Sequence, residues 1–280
     1  MKKILIPTDF SECSGYATEF AINIARKTRS EIVFLHLTAV PVDWKNLPKD
    51  QEKIYPDITA RINTINAKMS VLITKVEKEG LKASMSVIYN EGYGKIIDYI
   101  KNNEIDFVVM GSHGAGAIKE FFVGSTTQKV ARLSPVPVLA IKKPVASEDI
   151  GNIVFPSDFS EEILNPFMEV VKFARLFDSR LHLVFINTPF NFSDTASIKH
   201  KMNNYALHAP GVVESTSIYN AFEFEDGLKE FCDEQCNGDI IAMITHGRKG
   251  LSRMYSGSLT ESTINHLDLP ILSLKVESDD

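Results

Sequence analysis

Two distant stretches of this chain are near copies of one another: Lys3 to Ser11 reads KILIPTDFS and Asn152 to Ser160 reads NIVFPSDFS. Each is a short strand-like run with three consecutive apolar residues followed by Pro, Ser/Thr, Asp, Phe and Ser, and the last serine is placed to cap a following helix. The likeness continues at the same offset, with Phe20 to Arg26 (FAINIAR) against Glu169 to Arg175 (EVVKFAR), and Ser30 to Leu37 (SEIVFLHL) against Ser179 to Ile186 (SRLHLVFI). It resumes at a shorter offset: Asp106 to Gly114 (DFVVMGSHG) against Asp239 to Gly247 (DIIAMITHG), Gly124–Ser125 against Gly257–Ser258, and Pro137–Val138 against Pro270–Ile271. A duplication on this scale constrains the architecture more than any single motif can. The second copy is the shorter, and its loss falls between its second and fourth strands.

Each copy reads strand, helix, strand, helix, strand, helix, strand, helix, strand. Apolar strands alternating with helices predict parallel sheets with right-handed crossovers and helices on both faces. The expected fold class is therefore α/β, with two doubly wound five-stranded parallel sheets. Residues 1–146 form one domain and residues 147–280 the other, a division that suits a 280-residue chain. The stretch Lys143 to Ile150 (KPVASEDI) is the expected linker. In the first copy the middle region holds Trp44 and a predicted helix from about Asp57 to Glu79, whose Ile58, Ile62, Ile65, Met69, Leu72 and Val76 recur at helical spacing as a core stripe. The corresponding helix of the second copy is confined to Ser197 to His208, ended by Pro210–Gly211.

A net charge of −6 argues against a broad surface for nucleic acid or acidic membrane. The N-terminus, MKKILIPTDF, does not resemble a signal peptide, and no apolar run approaches the ~18 residues that span a bilayer, so the expected location is cytoplasmic. The three cysteines, Cys13, Cys232 and Cys236, make no even disulfide framework. Cys232 and Cys236 share one face of a predicted helix, but no second ligand pair stands beside them, and no metal ligand is assigned.

Met110 to Ser125, MGSHGAGAIKEFFVGS, carries the chemistry. A buried strand breaks into glycines and then reaches a helix start, where backbone N–H groups and the helix dipole suit an anion. By itself this is a weak signal, because no Gly-Lys-Ser/Thr closes it as in a Walker loop. Topology strengthens it. With strand order 3-2-1-4-5, the crevice beyond the strand ends lies between the first and fourth strands. Pro7, Thr8 and Asp9 then face Gly111, Ser112, His113, Gly114 and Gly116 across it.

At this point the residues resemble the universal stress protein family in its tandem two-domain form. That family's nucleotide pattern is Gly, two residues, Gly, nine residues, Gly, Ser/Thr, and Gly111, Gly114, Gly124 and Ser125 match it without a gap. The resemblance implies a HUP or Rossmann-like topology that binds ATP, or AMP, with Mg²⁺ among the phosphates. It places adenine and ribose at Asp9 and the backbone of Pro7 and Leu37, the ribose against Gly111, and the phosphates at Gly114, Gly124, Ser125 and Thr126. Asp9 could instead be a helix cap. His113 invites an acid–base role, but its counterpart His246 recurs in the second copy, which favours a structural place, and no catalytic residue is assigned.

The second copy departs where it matters, with Ile244 in the place of Gly111. A β-branched residue there is expected to obstruct the sugar and to be unable to adopt a glycine-only backbone. Gly247, Gly257 and Ser258 are kept, and Arg248, Lys249 and Arg253 make the loop more cationic than the first, which offers Lys119. The expected activity is a nucleotide-binding stress regulator rather than an enzyme; a ligand-free interaction module and a slow ATP hydrolase are the alternatives. The apolar fifth strand, Val136 to Lys142, needs covering, and Leu269 to Lys275 of the same chain is available to pair with it as an internal pseudo-dimer. A further homodimer is the remaining partner expectation.

Overall fold

A computed structural model of the chain describes residues 1–90, 92–112, 124–145, 150–245 and 267–276. The first half runs β1 (Lys3–Pro7), α1 (Glu12–Thr28), β2 (Glu31–Leu37), α2 (Pro56–Lys78), β3 (Ala83–Ile88), α3 (Tyr93–Asn102), β4 (Phe107–Gly111), α4 (Ser125–Leu133) and β5 (Val138–Ile141). The second runs β6 (Asn152–Pro156), α5 (Leu164–Phe177), β7 (Arg180–Asn187), α6 (Thr195–His208), β8 (Val213–Asn220), α7 (Phe224–Glu230) with a π turn over Phe231–Cys236, β9 (Ile240–Thr245) and β10 (Ile271–Lys275). Half of the expected linker, residues 146–149, lies outside the described residues.

The strands form a single ten-stranded sheet in the order β3-β2-β1-β4-β5-β10-β9-β6-β7-β8. Each half has the expected 3-2-1-4-5 order, and the two sheets are continuous rather than separate. They join through β5 and β10, which pair antiparallel with Leu139 opposite Leu272 and with Ile271 opposite Ala140. Every other pairing is parallel. The pairing is narrower than the apolar runs suggested, because Val136 and Pro137 precede β5 and a proline cannot donate to a ladder.

Alternation along the strands feeds two cores. Ile4 and Ile6 point to the face covered by Phe20, Ala21 and Met69, and Leu5 points to the face covered by Ile96, Ile100 and Val130. The α2 stripe buries Ile62, Ile65, Met69 and Val76, while Ile58 and Leu72 are half-buried. The halves also share contacts beyond the strand seam. Phe107 of β4 stacks on Phe173 of α5 at 5.8 Å, and Ser273 Oγ of β10 donates to Ala131 O of α4 at 2.9 Å.

One repeated residue clamps each half. Asp106 Oδ2 accepts from the Lys2 and Lys3 amides at 2.6 and 2.9 Å, and Asp239 Oδ2 accepts from the Gly151 and Asn152 amides at 2.8 Å each. Both carboxylates stand just before the fourth strand of their half and tie it to the first. Among the described residues, no helix is long and apolar enough to cross a membrane.

Candidate functional site

β1 and β4 are neighbours, with Ile4 opposite Phe107 and Leu5 opposite Val108, so their C-terminal ends lie side by side where the strand order reverses. The chain leaving β1 is held by a closed set of bonds. The Thr8 amide donates to Leu35 O at 2.8 Å, the Phe10 amide to Thr8 Oγ1 at 3.1 Å, Thr8 Oγ1 to Ser14 Oγ at 3.1 Å, and Ser14 Oγ to Ser11 O at 2.8 Å. Phe10 takes φ 63°, a left-handed conformation uncommon for a bulky residue, and its counterpart Phe159 takes φ 56°. Both copies therefore make the same sharp bend from strand into helix.

The bend exposes Asp9 at its apex, where Oδ1 accepts from the Ser11 amide at 3.0 Å. That is an Asx turn. The helix cap is Ser11, whose hydroxyl accepts from the Ser14 amide at 3.3 Å, so the capping alternative for Asp9 does not hold. His36, which drew no attention in the sequence, holds the bend from behind. Its Nδ1 lies 2.7 Å from Thr8 O, and because a carbonyl can only accept, Nδ1 carries the proton. The imidazole stacks on Phe10 at 4.6 Å between centroids, with Lys68 Nζ 5.1 Å from the Phe10 ring centre.

On the β4 side the chain departs and returns at one stem. The Ser112 amide donates to Ile141 O at 2.8 Å, and the Gly124 amide donates to Ser112 O at 2.7 Å. Thr127, also missed, donates from Oγ1 to Gly111 O at 2.9 Å and so fastens the first turn of α4 to the end of β4. The helix opens at Ser125 behind Gly124, which supplies no side-chain cap, and Ser125 and Thr126 are exposed. A helix start without a capping side chain keeps backbone donors for an anion. The arrangement can thus offer a carboxylate, strand-end backbone and a helix N-terminus to one ligand.

Of the expected residues, Pro7 ends β1 with Thr8 and Asp9 after it, half-buried Leu37 ends β2, Gly111 ends β4 with Ser112 after it, and Ser125 and Thr126 open α4 behind Gly124. His113, Gly114, Gly116 and Lys119 lie outside the described residues, as do His246, Gly247, Arg248, Lys249, Arg253, Gly257 and Ser258 of the second copy.

The reason for glycine at position 111 is not the expected one. Gly111 sits in β4 without a positive φ, so its backbone is open to any residue. A Cβ there would lie 2.7 Å from Cys13 C, 2.8 Å from Ser14 N and 2.9 Å from Cys13 Cβ. The side-chain direction is thus filled by the start of α1. The second half makes room differently. Its helix begins with a 3₁₀ turn at Glu161–Ile163 before α5, and Ile244 is buried in the core.

Other polar members of the first bend are also replaced by apolar ones. At the offset of Ser14 stands Ile163, and at that of His36 stands Phe185. The Ser160 carbonyl accepts from Tyr205 Oη at 2.5 Å, and the Tyr205 ring packs on Phe159 and Phe167 at 5.2 and 4.8 Å. Burial, with Asp158 adding to it, pushes the Tyr205 hydroxyl well above the ordinary phenol range, so it acts as a fixed donor. Burial likewise pushes the Cys236 thiol up to about 11 and Cys232 higher still, so both are protonated thiols at neutral pH.

Two doubly wound halves fused edge to edge, one with a strand-end crevice beside a helix start that follows a glycine, define a tandem α/β architecture. A family model described as the universal stress protein family matches residues 1–142. The chain belongs to that family. A universal stress protein of Methanocaldococcus jannaschii is 26% identical over 154 residues, covering 51% of this chain and 95% of the relative. The Bacillus subtilis universal stress protein YxiE is 25% identical over 145 residues, covering 50% and 98%. Over the whole length, the solved structure of a universal stress protein from Archaeoglobus fulgidus matches with a TM-score of 0.73 at 22% identity, covering 98% of each chain.

Proposed function

We propose that the first half binds an adenine nucleotide, ATP or AMP, with Mg²⁺, and that the chain acts as a stress-response regulator through nucleotide-dependent conformation or partner binding. The observation that carries this reading is the meeting of Asp9, the Gly111–Ser112 strand end and the uncapped start of α4 at one switch point. Asp9 suits ribose or base donors, and the α4 amides suit phosphate oxygens. Gly114 and Gly116 would bring further amides to the phosphates. Binding rather than turnover is the proposed activity, in a cytoplasmic protein whose folding units are residues 1–146 and 147–280.

Isothermal titration with ATP and with AMP in the presence of Mg²⁺ tests the proposal. At a ligand concentration 100 times Kd, linkage adds about 2.7 kcal/mol to stability, so a melting shift accompanies the heat of binding. Absence of both heat and melting shift would reject it. Gly114→Asp is expected to abolish both by setting a carboxylate against the phosphates.

A further inference from the structure

Among the described residues, the second half exposes something the first does not. β7 ends at Asn187 and β8 at Asn220, which are register partners, and Asn187 Nδ2 donates to Asn220 Oδ1 at 2.8 Å. The Ala221 amide donates to Asn187 O at 3.1 Å, so the chain leaves both strands at one place. After β7 comes a closed turn, Thr188-Pro189-Phe190-Asn191, in which the Asn191 amide donates to Thr188 O at 3.0 Å. Thr188 and Asn191 are 8% exposed, whereas Phe190 between them is 84% exposed. Proline at the second position presets the turn, so Phe190 is held out before any partner arrives. From the same end Phe192 is 74% and Phe222 71% exposed.

One exposed apolar residue is ordinary; three phenylalanines at one strand end, one of them on an anchored turn, make an exposed apolar rim of the kind that marks interaction sites. The loop after β2 in the first half instead buries the chain's one tryptophan, Trp44. Around the phenylalanines the flanking residues are mostly acidic: Asp194, Glu223, Glu225 and Asp226 against Lys199. Asp194 is matched by the α6 amides of Ala196 and Ser197, which leaves the negative charge concentrated beside Phe222. Two copies meeting through this face would set acid against acid, and an anionic bilayer would be repelled.

We infer that the strand-end rim of the second half, built on Phe190, Phe192 and Phe222, docks a cationic amphipathic segment of another protein. Apolar side chains of such a segment cover the rings, and its lysines or arginines meet Glu223 and Asp226. The site is independent of the nucleotide proposal, since it lies in the other half and uses none of its residues.

The test uses the full chain and two labelled peptides in fluorescence anisotropy. One is an amphipathic helix of leucines and lysines; in the other glutamate replaces every lysine. The Leu/Lys peptide is expected to bind. The Phe190→Ser/Phe192→Ser/Phe222→Ser variant is expected to weaken that binding by about tenfold or more, and Glu223→Gln/Asp226→Asn by a smaller factor that shrinks with added salt. An unchanged melting temperature separates lost docking from lost fold; should the triple variant melt early, Phe190→Ser alone carries the test. Equal binding of wild type and variant overturns the inference, as does equal binding of the Leu/Glu peptide. So does self-association in sedimentation, or capture by anionic vesicles, that the serine substitutions abolish.

Discussion

Replacing Gly111 by alanine is expected to lower stability and loosen the first crevice together. The added Cβ meets three atoms of Cys13 and Ser14 at 2.7 to 2.9 Å, closer than real side chains come, and two of the three are backbone. Rotating a side chain therefore cannot relieve the contact, and α1 must shift. Overpacking of this kind costs about 1–3 kcal/mol. At about 2–4 °C per kcal/mol, the melting temperature should fall by roughly 2–12 °C in scanning calorimetry. The same shift pulls on the Ser14–Thr8 bond and on the Cys13 Sγ–Lys142 O contact of 3.4 Å, so the bend that presents Asp9 moves too. Nucleotide affinity should fall with stability. At the matching position of the second half alanine also destabilises but for the opposite reason, since Ile244→Ala removes buried volume and should cost about 2–5 kcal/mol. A Gly111→Ala protein that melts within about 1 °C of wild type would show that α1 has room to spare and refute the reasoning.

Three further outcomes are expected. His36→Phe, which imports the second half's own residue, removes one hydrogen bond behind the Asp9 bend and should weaken ATP binding by about 2- to 10-fold in titration calorimetry, a net bond being worth about 0.5–1.5 kcal/mol; unchanged affinity would refute that role. Burial, with Arg180 adding to it and Glu214 opposing, holds His182 below its ordinary 6.5, so its contribution is complete above that value and is lost as pH falls through the lower folded pKa. Urea midpoints between about pH 5.5 and 7.5 should therefore fall more steeply for wild type than for His182→Asn, and parallel curves would refute it. Leu139→Ala and Leu272→Ala, opposite one another at the seam, should each cost about 2–5 kcal/mol in urea unfolding, with the double variant losing less than the sum; strict additivity would show that they do not touch.

Most of the fold was legible because the duplication writes each strand end twice, and a period-2 or period-3.6 apolar pattern is a local property. The helix stripe from Ile62 to Val76 is read from spacing alone. The site was legible in part. Asp9 and Ser125 announce themselves as a strand-end acid and a helix start, but the partners that hold them are set by three-dimensional contact. Thr127 meets Gly111 only because α4 folds back on β4, and His36 meets Thr8 only through sheet register. Gly111 shows the same limit, since the sequence displays a glycine but not which neighbour forbids a side chain. The one readable hint was the unequal pair itself: His36 against Phe185, Ser14 against Ile163 and Gly111 against Ile244 change together.

The antiparallel seam at Leu139 and Leu272 also sets the polarity of the whole molecule. Because strand direction reverses there, the first half's crevice and the second half's phenylalanine rim open toward opposite ends. They stand roughly 30 Å apart across six strand spacings. Two ligands so placed do not touch, and neither can exclude the other. On the two proposals made above, occupancy at each end would be counted separately, and the molecule would work as a two-ended adaptor with nucleotide at one end and a protein segment at the other. Any coupling between them has to cross the joint between the halves, made of the three residue pairs of the seam, the Phe107–Phe173 stack and the Ser273–Ala131 bond, which makes that joint the place where such communication can be cut without touching either end.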